Sequence, residues 1–250
     1  DALVTERTVG IIPVHLFGLM ADMDAVMAFA QRHQLWVLED AACALGSLFQ
    51  GKAPGTFGQA ACFSFHPRKS ITTGEGGMVV MNDGDLARRC RAMRNHGITT
   101  DFREVEETGF NYRLTDFQAA LGTEQMGRFE SILNERRRVA SRYDDALGDL
   151  PWLTLPTDPE GCRHSYQSYV CLVEGDRDAL AKRLAEAGIM TRPGTHALPP
   201  MACFAGCEME FYPNALRAAE ASLAIPLFAG MTEAEQERVI EALHIYQPPS

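Results

Sequence analysis

The stretch "FSFHPRKSITTGEGGMVV" (residues 63–80) places a single lysine, Lys69, and a glycine-rich turn between two strand-like hydrophobic runs. Such a lysine can belong to a phosphate loop, lie on an exposed hairpin or serve covalent chemistry. A P-loop requires glycine directly before its Lys-Ser pair, and Arg68 occupies that position. A dinucleotide-binding loop requires G-x-G-x-x-G leading into a helix, whereas "GEGG" precedes a strand-like run. The exposed turn and the covalent role therefore remain as interpretations.

A carboxylate ends the hydrophobic run in "VLEDAACALGS" (residues 37–47), where Asp40 follows the apolar residues. The carboxyl ends of strands line the ligand crevice of open α/β sheets, although an acid there can also cap the next helix. Together, Asp40 and Lys69 suggest pyridoxal phosphate. That cofactor needs a lysine for its Schiff base and a carboxylate that keeps its ring nitrogen protonated.

A third stretch, "GFNYRLTDFQAALG" (residues 109–122), completes a family pattern. The chain resembles the DegT/DnrJ/EryC1/StrS family of pyridoxal-phosphate-dependent sugar aminotransferases. The matching segments occur in the family's order over essentially the whole chain: "IIPVHLFG", "VLEDAACALGS", "FSFHPRKSITTGEGGMVV", "NYRLTDFQAALG" and "SLAIPLFAGMTEAEQERVIEAL". The resemblance implies an α/β, aspartate aminotransferase-like fold (fold type I). We therefore expect a mixed, mostly parallel sheet with a smaller C-terminal α+β domain.

The resemblance also implies roles for individual residues. Lys69 matches the lysine that holds the cofactor covalently, and Asp40 matches the acid that pairs with the pyridine nitrogen. Ser64 matches a serine that contacts the cofactor phosphate, and Asn111 matches an asparagine that reaches the phosphate in the partner subunit. This implies a homodimer with shared active sites. Cys43 stands where the family usually has a glutamine that contacts the cofactor 3′ oxygen. Because a thiol is a weak donor, we expect that contact to be lost or made through water.

The family's N-terminal portion has no counterpart in this sequence. In the family it supplies a Gly/Ser/Thr turn at a helix N-terminus that binds the phosphate, and an aromatic residue that stacks on the ring. The chain begins "DALVTERTVG" and enters a strand-like run almost at once. We therefore expect it to be a fragment, and we expect weaker cofactor binding if these residues are the whole protein.

The implied reaction is transamination from an amino acid, by resemblance L-glutamate, to a keto sugar that is carried on a nucleotide. His164, Arg192 and His196 are candidates for binding the sugar or its phosphates, with ordinary surface positions as the alternative. The related dehydratases carry histidine at the position of Lys69, so the lysine disfavours that activity. A non-catalytic protein that binds a partner or a ligand is the remaining alternative.

Strands and helices alternate in the first half of the chain. Hydrophobic runs and caps predict strands at 8–18, 35–40, 60–66 and 77–83, and helices at 23–34 and 85–97, with Asp22 and Asp85 as their respective N-caps. A long helix is predicted from Thr115, with Gly122 and Gly127 marking a kink or close packing. We assign 1–130 to a cofactor-binding large domain.

Residues 131–250 are assigned to a small domain that includes the connecting helix. The stretch 150–162 is rich in proline and glycine, and a strand at 165–174, a helix at 176–187, a strand at 189–192 and two helices follow it. "TEAE" predicts a capping box for the last helix. The charged run "ERRRVASR" is interpreted as a solvated helix face rather than a diphosphate site.

Composition narrows the function classes. The chain has 250 residues, a formal net charge of -10 and a pI near 5.2, which argues against general affinity for nucleic acid or anionic membranes. Seven scattered cysteines do not predict a disulfide framework, and Cys203 with Cys207 lack a second pair of ligands, so no metal site is expected. The sequence shows no signal peptide and no apolar run long enough to span a membrane. We therefore expect a reducing, cytoplasmic location.

Overall fold

The protein is described from a computed structural model, which describes residues 1–98, 104–105, 107–206 and 208–247. The chain divides into two compact units. Unit 1 comprises Asp1–Ser131 and Asp158–Gln167, and unit 2 comprises Ile132–Thr157 and Ser168–Ser250. The first division lies within one residue of the boundary that we place at residue 130, and the segment Asp158–Gln167 belongs to unit 1.

The described residues form ten strands and seven α-helices. In order they are β1 (Gly10–Ile11), α1 (Met23–His33), β2 (Trp36–Asp40), β3 (Leu48–Phe49), β4 (Ala60–Ser64), β5 (Gly77–Met81), α2 (Gly84–Met93), α3 (Asp116–Gly127), α4 (Phe129–Leu147), β6 (Leu153–Thr154), β7 (Cys162–Arg163), β8 (Tyr169–Val173), α5 (Arg177–Glu186), β9 (Arg192–Pro193), α6 (Pro213–Ala221), β10 (Ser222–Ile225) and α7 (Glu233–Ile245).

The main sheet of unit 1 has the strand order β1-β2-β4-β5. β1, β2 and β4 run parallel, and β5 returns antiparallel to β4. β3 and β7 form a separate antiparallel pair. This is the mixed, mostly parallel α/β sheet that the sequence predicts, although its first strand is much shorter than the predicted run 8–18.

Strand β2 shows which face of this sheet is covered. Val37 and Glu39 are buried on one face, because successive side chains of a strand point to opposite sides. Trp36, Leu38 and Asp40 lie on the other face and are more accessible to solvent. The core against the buried face comprises Met20, Met23, Ala30, Leu35, Val37 and Phe49. Asp40 thus lies on the face opposite to this core.

One helix cap agrees with the sequence prediction and a second does not. Asp22 caps α1 as predicted, and its side chain accepts a hydrogen bond from Ala25 N at 3.0 Å. The prediction of Asp85 as the cap of α2 was wrong. Asp83 is the N-cap, and its Oδ1 accepts from Asp85 N at 2.8 Å and from Leu86 N at 3.0 Å. Asp85 instead lies in the first turn, where its charge complements the helix dipole.

The long helix predicted from Thr115 is interrupted, as its glycines indicate. α3 ends at Gly127, Arg128 leaves the helical conformation, and α4 begins at Phe129. Gly122 is a site of close packing, because a Cβ atom there would lie 3.1 Å from Thr73 Cγ2. The sequence predicts a kink or close packing at these glycines, and the structure shows close packing at Gly122 and an interruption of the helix directly after Gly127.

Unit 2 has a four-stranded antiparallel sheet in the order β6-β8-β10-β9 with helices α5, α6 and α7, as expected for a small α+β domain. The predicted capping box of α7 is present, with Thr232 and Glu235 bonded reciprocally. Strand β10 was not predicted. All four of its residues are buried, so its sequence shows no alternation of polar and apolar positions.

The interpretation of "ERRRVASR" as a solvated helix face was wrong. Arg136 is buried, and burial lowers the pKa of its guanidinium to about 10. Arg138 donates to Met231 O at 3.2 Å, and Arg142 donates to Glu233 O at 3.0 Å. These arginines therefore join α4 to the start of α7 within unit 2.

Candidate active site

Asp40 is fixed by its backbone and keeps part of its carboxylate available. Its N–H donates to Pro13 O, and its carbonyl accepts from His15 N, both at 2.9 Å. Oδ1 accepts from Ala42 N at 3.1 Å. Among the described residues no hydrogen bond reaches Oδ2. A carboxylate can accept several hydrogen bonds, so Asp40 can pair with a further donor.

Lys69 reaches the loop that follows Asp40. Strand β4 ends at Ser64, and the chain then turns, with Lys69 N donating to His66 O at 2.9 Å. The half-buried Lys69 side chain places Nζ 2.9 Å from Cys43 Sγ. Because Cys43 lies three residues after Asp40, this contact joins the two segments that carry the predicted lysine and the predicted acid.

Ser64 lies on the same face of the sheet as Asp40. The register pairs Asp40 with Cys62, and Ser64 follows two residues later on the same side of β4. Ser64 Oγ accepts from His66 N at 3.3 Å, which leaves its hydroxyl hydrogen to donate elsewhere. Burial raises the pKa of the Cys62 thiol, and the negative charge of Asp40 and the proximity of Cys90 raise it further. This face therefore presents a hydroxyl and a protonated thiol beside the carboxylate.

A buried carboxylate with four hydrogen bonds lies immediately before Asp40. The Glu39 carboxylate accepts four hydrogen bonds of 2.8–3.1 Å, from His15 Nε2 and from the backbone amides of Gly55, Phe57 and Gly58. His15 Nδ1 accepts from Ala21 N at 3.2 Å, so Nε2 carries the hydrogen. Burial alone would raise the pKa of Glu39, but the hydrogen bonds, led by that from His15, outweigh it and lower the pKa. Sequence reasoning missed this pair, although both residues stand in the quoted motifs.

The glycines after Lys69 serve the chain's own hairpin. Gly76 has φ +150°, which disfavours other residues. A Cβ atom on Gly77 would lie 2.6 Å from Phe63 O, and one on Gly76 would lie 2.6 Å from Thr73 Oγ1. The glycines thus allow β5 to return closely against β4.

Asn111 lies on the surface of unit 1, apart from these contacts. It is exposed, and its backbone pairs with Asn95. The neighbouring rings of Phe110 and Tyr112 are exposed and stack at a centroid distance of 5.2 Å. In the described chain, no hydrogen bond joins Asn111 to Lys69.

The three candidate substrate residues have different environments. His164 belongs to unit 1 and is buried, with 3% of its surface exposed. Its Nδ1 accepts from Tyr166 N at 2.8 Å, and the two rings stack at 4.2 Å. Arg192, the first residue of β9, and His196 are exposed in unit 2. His164 is therefore not a surface residue, whereas Arg192 and His196 are exposed.

An apolar cavity of about 720 Å³ extends along the sheet of unit 1. Its lining comprises Trp36, Val37, Leu38, Gly58, Gln59, Ala60, Cys62, Val79, Met81, Asn82, Asp83, Leu86 and Cys90. Cys62 links it to the candidate site, because this residue pairs in register with Asp40. The polar side chains of this lining, Gln59, Asn82 and Asp83, lie beside the amino end of β4, away from Asp40.

The described residues offer neither a metal site nor a membrane-spanning helix. Among the described residues, no group of three or more His, Cys, Asp or Glu side chains could hold a metal ion. Cys203 is exposed, and Cys207 lies outside the described residues. Within those same ranges, none of the helices has the length and apolar character required to cross a bilayer.

The groups at the end of β2 and β4 fit pyridoxal phosphate. Pyridoxal phosphate requires an amine for its carbonyl, a carboxylate for its ring nitrogen and a donor for its phosphate. Lys69 has the primary amine, and Asp40 has a carboxylate oxygen without a hydrogen bond among the described residues. Ser64 has a free hydroxyl hydrogen. The fold and this set of groups define a class, the fold type I pyridoxal-phosphate-dependent proteins. More narrowly, the chain belongs to the DegT/DnrJ/EryC1/StrS aminotransferase family, which it matches over residues 1–244.

Individual relatives agree with this assignment. The chain is 42% identical to the GDP-perosamine synthase of Caulobacter vibrioides, over 97% of this chain and 67% of that protein. It superposes on the aminotransferase TlmJ from Streptoalloteichus hindustanus with a TM-score of 0.90 at 30% identity, covering 97% of this chain and 66% of that one. The putative sugar aminotransferase Spr1654 from Streptococcus pneumoniae, in its PLP form, gives 0.90 at 25% identity, covering 98% and 71%. The chain thus spans about two thirds of the length of the first two relatives.

Proposed function

We propose that this protein is a pyridoxal-phosphate-dependent aminotransferase that moves an amino group from L-glutamate to a nucleotide-linked keto sugar. The observation that carries the proposal is the 2.9 Å contact of Lys69 Nζ with Cys43 Sγ, which joins the lysine to the loop after Asp40. The 42% identity to a protein named GDP-perosamine synthase supports a nucleotide-linked acceptor.

Each residue has a distinct chemical task in this proposal. When bound, pyridoxal phosphate acts as an electron sink for the carbanion of the amino donor. Lys69 would hold the cofactor covalently, and its amine, when free, would take up the proton from the donor Cα. Asp40 uses its free carboxylate oxygen to keep the ring nitrogen protonated. Ser64 donates its hydroxyl hydrogen to the phosphate.

The proposal includes a homodimer with shared active sites. Unit 1 exposes apolar side chains around Asn111, including Phe110, Tyr112 and, on α3, Phe117 at 82% exposure and Leu121. Exposed apolar patches of this kind mark interaction surfaces. A second copy on this surface would bring Asn111 to the phosphate of the partner's site.

Arg192 and His196 are the candidates for binding the acceptor. Both are exposed, and a guanidinium binds phosphate oxygens well because its donors are planar and paired. His164 is buried and its Nδ1 is occupied by a backbone amide, which favours a structural role for this residue.

Amino transfer can be followed through the cofactor absorbance. Protein loaded with pyridoxal phosphate should lose its long-wavelength band on addition of L-glutamate and recover it on addition of a nucleotide-linked keto hexose. Mass spectrometry should then find the amino sugar. Lys69→Ala should show neither change. A protein that remains colourless with added cofactor would contradict the proposal and favour a non-catalytic binding protein.

A further inference from the structure

The helix α3 presents one polar face to the turn that follows Lys69. Gln118, Gly122 and Gln125 lie at i, i+4 and i+7, so they share one side of the helix. All three contact residues of the 72–75 turn. α3 has no buried residue of its own, so ordinary core packing does not explain this face.

Two glutamines bind the backbone of the turn. Gln125 both accepts from Thr72 N at 3.0 Å and donates to Thr72 O at 2.5 Å. Gln118 Nε2 donates to Glu75 O at 2.8 Å and to Thr73 O at 3.3 Å. Gly122 between them permits the approach, since a Cβ atom there would lie 3.1 Å from Thr73 Cγ2.

The 72–75 turn is also hydrogen-bonded to the start of the loop that carries Lys69. Thr73 N and Thr72 Oγ1 both donate to Phe65 O, at 3.0 and 2.9 Å. Phe65 immediately follows Ser64 at the end of β4. Hydrogen bonds therefore join the two ends of the segment 65–73, which has Lys69 at its middle. The C-terminal end of this segment is also bonded to α3.

We propose that Gln118 and Gln125 are positioning residues that hold the 72–75 turn and thereby set where Lys69 presents its amine. The proposal rests on the proposed function, because it assumes that Lys69 is the cofactor lysine. The glutamines touch neither the lysine nor a reacting atom. They hold the turn through hydrogen bonds to its backbone, and Gln118 Oε1 also closes the capping box of α3 with Thr115. Loss of the bonds to the turn should change the mobility of the turn and the reactivity of Lys69 while unit 1 stays folded.

The test compares Gln125→Leu with Glu124→Leu, a matched change at an exposed neighbour on the same helix. Two quantities are measured: the rate at which Lys69 captures pyridoxal phosphate, trapped by borohydride and mapped by peptide mass, and the hydrogen exchange of the turn amides without cofactor. Loss of two hydrogen bonds should slow capture and speed exchange at Thr72, each on the order of tenfold. Gln118→Glu keeps an oxygen for the α3 capping box with Thr115 but loses the Nε2 donor to the turn, so it should shift both in the same direction.

The proposal would be overturned if Gln125→Leu captured the cofactor and exchanged its turn amides at the wild-type rates. It would also be overturned if Glu124→Leu changed both rates by the same amount as Gln125→Leu. Thermal unfolding of each variant shows that any change is local, and Gln118→Glu keeps the test valid if Gln125→Leu fails to fold. A wild type that captures no cofactor at Lys69 would contradict the proposed function. The exchange comparison would then decide by itself whether Gln125 holds the turn.

Discussion

At the scale of single residues, Cys43 is where this chain departs from its family within the candidate site. Its Sγ contacts Lys69 Nζ, and a thiol offers little as a hydrogen-bond donor. Cys43→Gln would supply an amide donor to the cofactor oxygen. We expect the dissociation constant of pyridoxal phosphate to fall about fivefold, because one hydrogen bond contributes about 1 kcal/mol.

Absorbance titration measures this change. Cys43→Ala is the control, and it should bind the cofactor about as well as the wild type because the thiol contributes little. Weaker binding by Cys43→Gln than by Cys43→Ala would contradict the account of this position.

Glu39 gives a second residue-scale prediction, with a defined pH dependence. Its hydrogen bonds lower its pKa in the folded protein below the value in the unfolded chain. Its stabilising contribution is therefore present above about pH 4.3 and is lost as the pH falls through the lower, folded value. We expect Glu39→Gln to lower the free energy of unfolding at pH 7 by about 2–3 kcal/mol, because it weakens hydrogen bonds to a buried charged group.

Denaturant unfolding between neutral and acidic pH tests this directly. The wild type should lose its advantage over Glu39→Gln as the pH is lowered, so the two stabilities should converge. A difference between the two proteins that stays constant with pH would show that the charge of Glu39 contributes nothing.

Part of the site could be predicted from residues alone. Lys69 and Asp40 attract notice because each comes at or just after the end of a strand-like run, whereas Ser64 follows from the family resemblance. The burial of His164 could not be predicted because it depends on tertiary packing, and the pairing of His15 with Glu39 could not because the two residues are 24 positions apart.

At the scale of elements, helix ends that a few adjacent residues specify were predicted correctly. Elements whose local sequence allows two interpretations were not. The capping box of α7 and the break after Gly127 follow from a few adjacent residues. The cap of α2 was misassigned because two aspartates stand two residues apart, and only the backbone shows which one is outside the helix. β10 escaped prediction because a short, fully buried strand lacks alternation.

The assignment of the α2 cap can be checked by a matched pair of variants. Asp83→Ala should lower the free energy of unfolding by about 1 kcal/mol, because Asp83 Oδ1 satisfies two backbone amides of the first turn. Asp85→Ala loses a favourable interaction with the helix dipole and an exposed ion pair with Arg88, so its effect should be smaller. Equal losses in chemical denaturation, or a larger loss in Asp85→Ala, would contradict the assignment.

At the scale of the whole molecule, the proposed homodimer explains why unit 1 exposes so much apolar surface on and before α3. Phe117 is 82% exposed, and we expect Phe117→Asp to weaken self-association by placing a charge in the interface. Light scattering after size-exclusion chromatography measures the mass. Met190→Asp is the control, because Met190 is 79% exposed but lies in unit 2. A dimer that survives Phe117→Asp, or dissociates equally in Met190→Asp, would contradict the surface proposed here.

The central claim is that Lys69 is the covalent anchor of pyridoxal phosphate, and the composition of the chain makes it easy to test. The sequence has three lysines, Lys52, Lys69 and Lys182, so the other two serve as internal controls. The measurement is peptide mass mapping after incubation with the cofactor and reduction with borohydride. We expect one adduct per chain, on the peptide that contains Lys69, and none in Lys69→Arg. Adducts spread over Lys52 and Lys182, or a wild type without an adduct at Lys69, would contradict the claim.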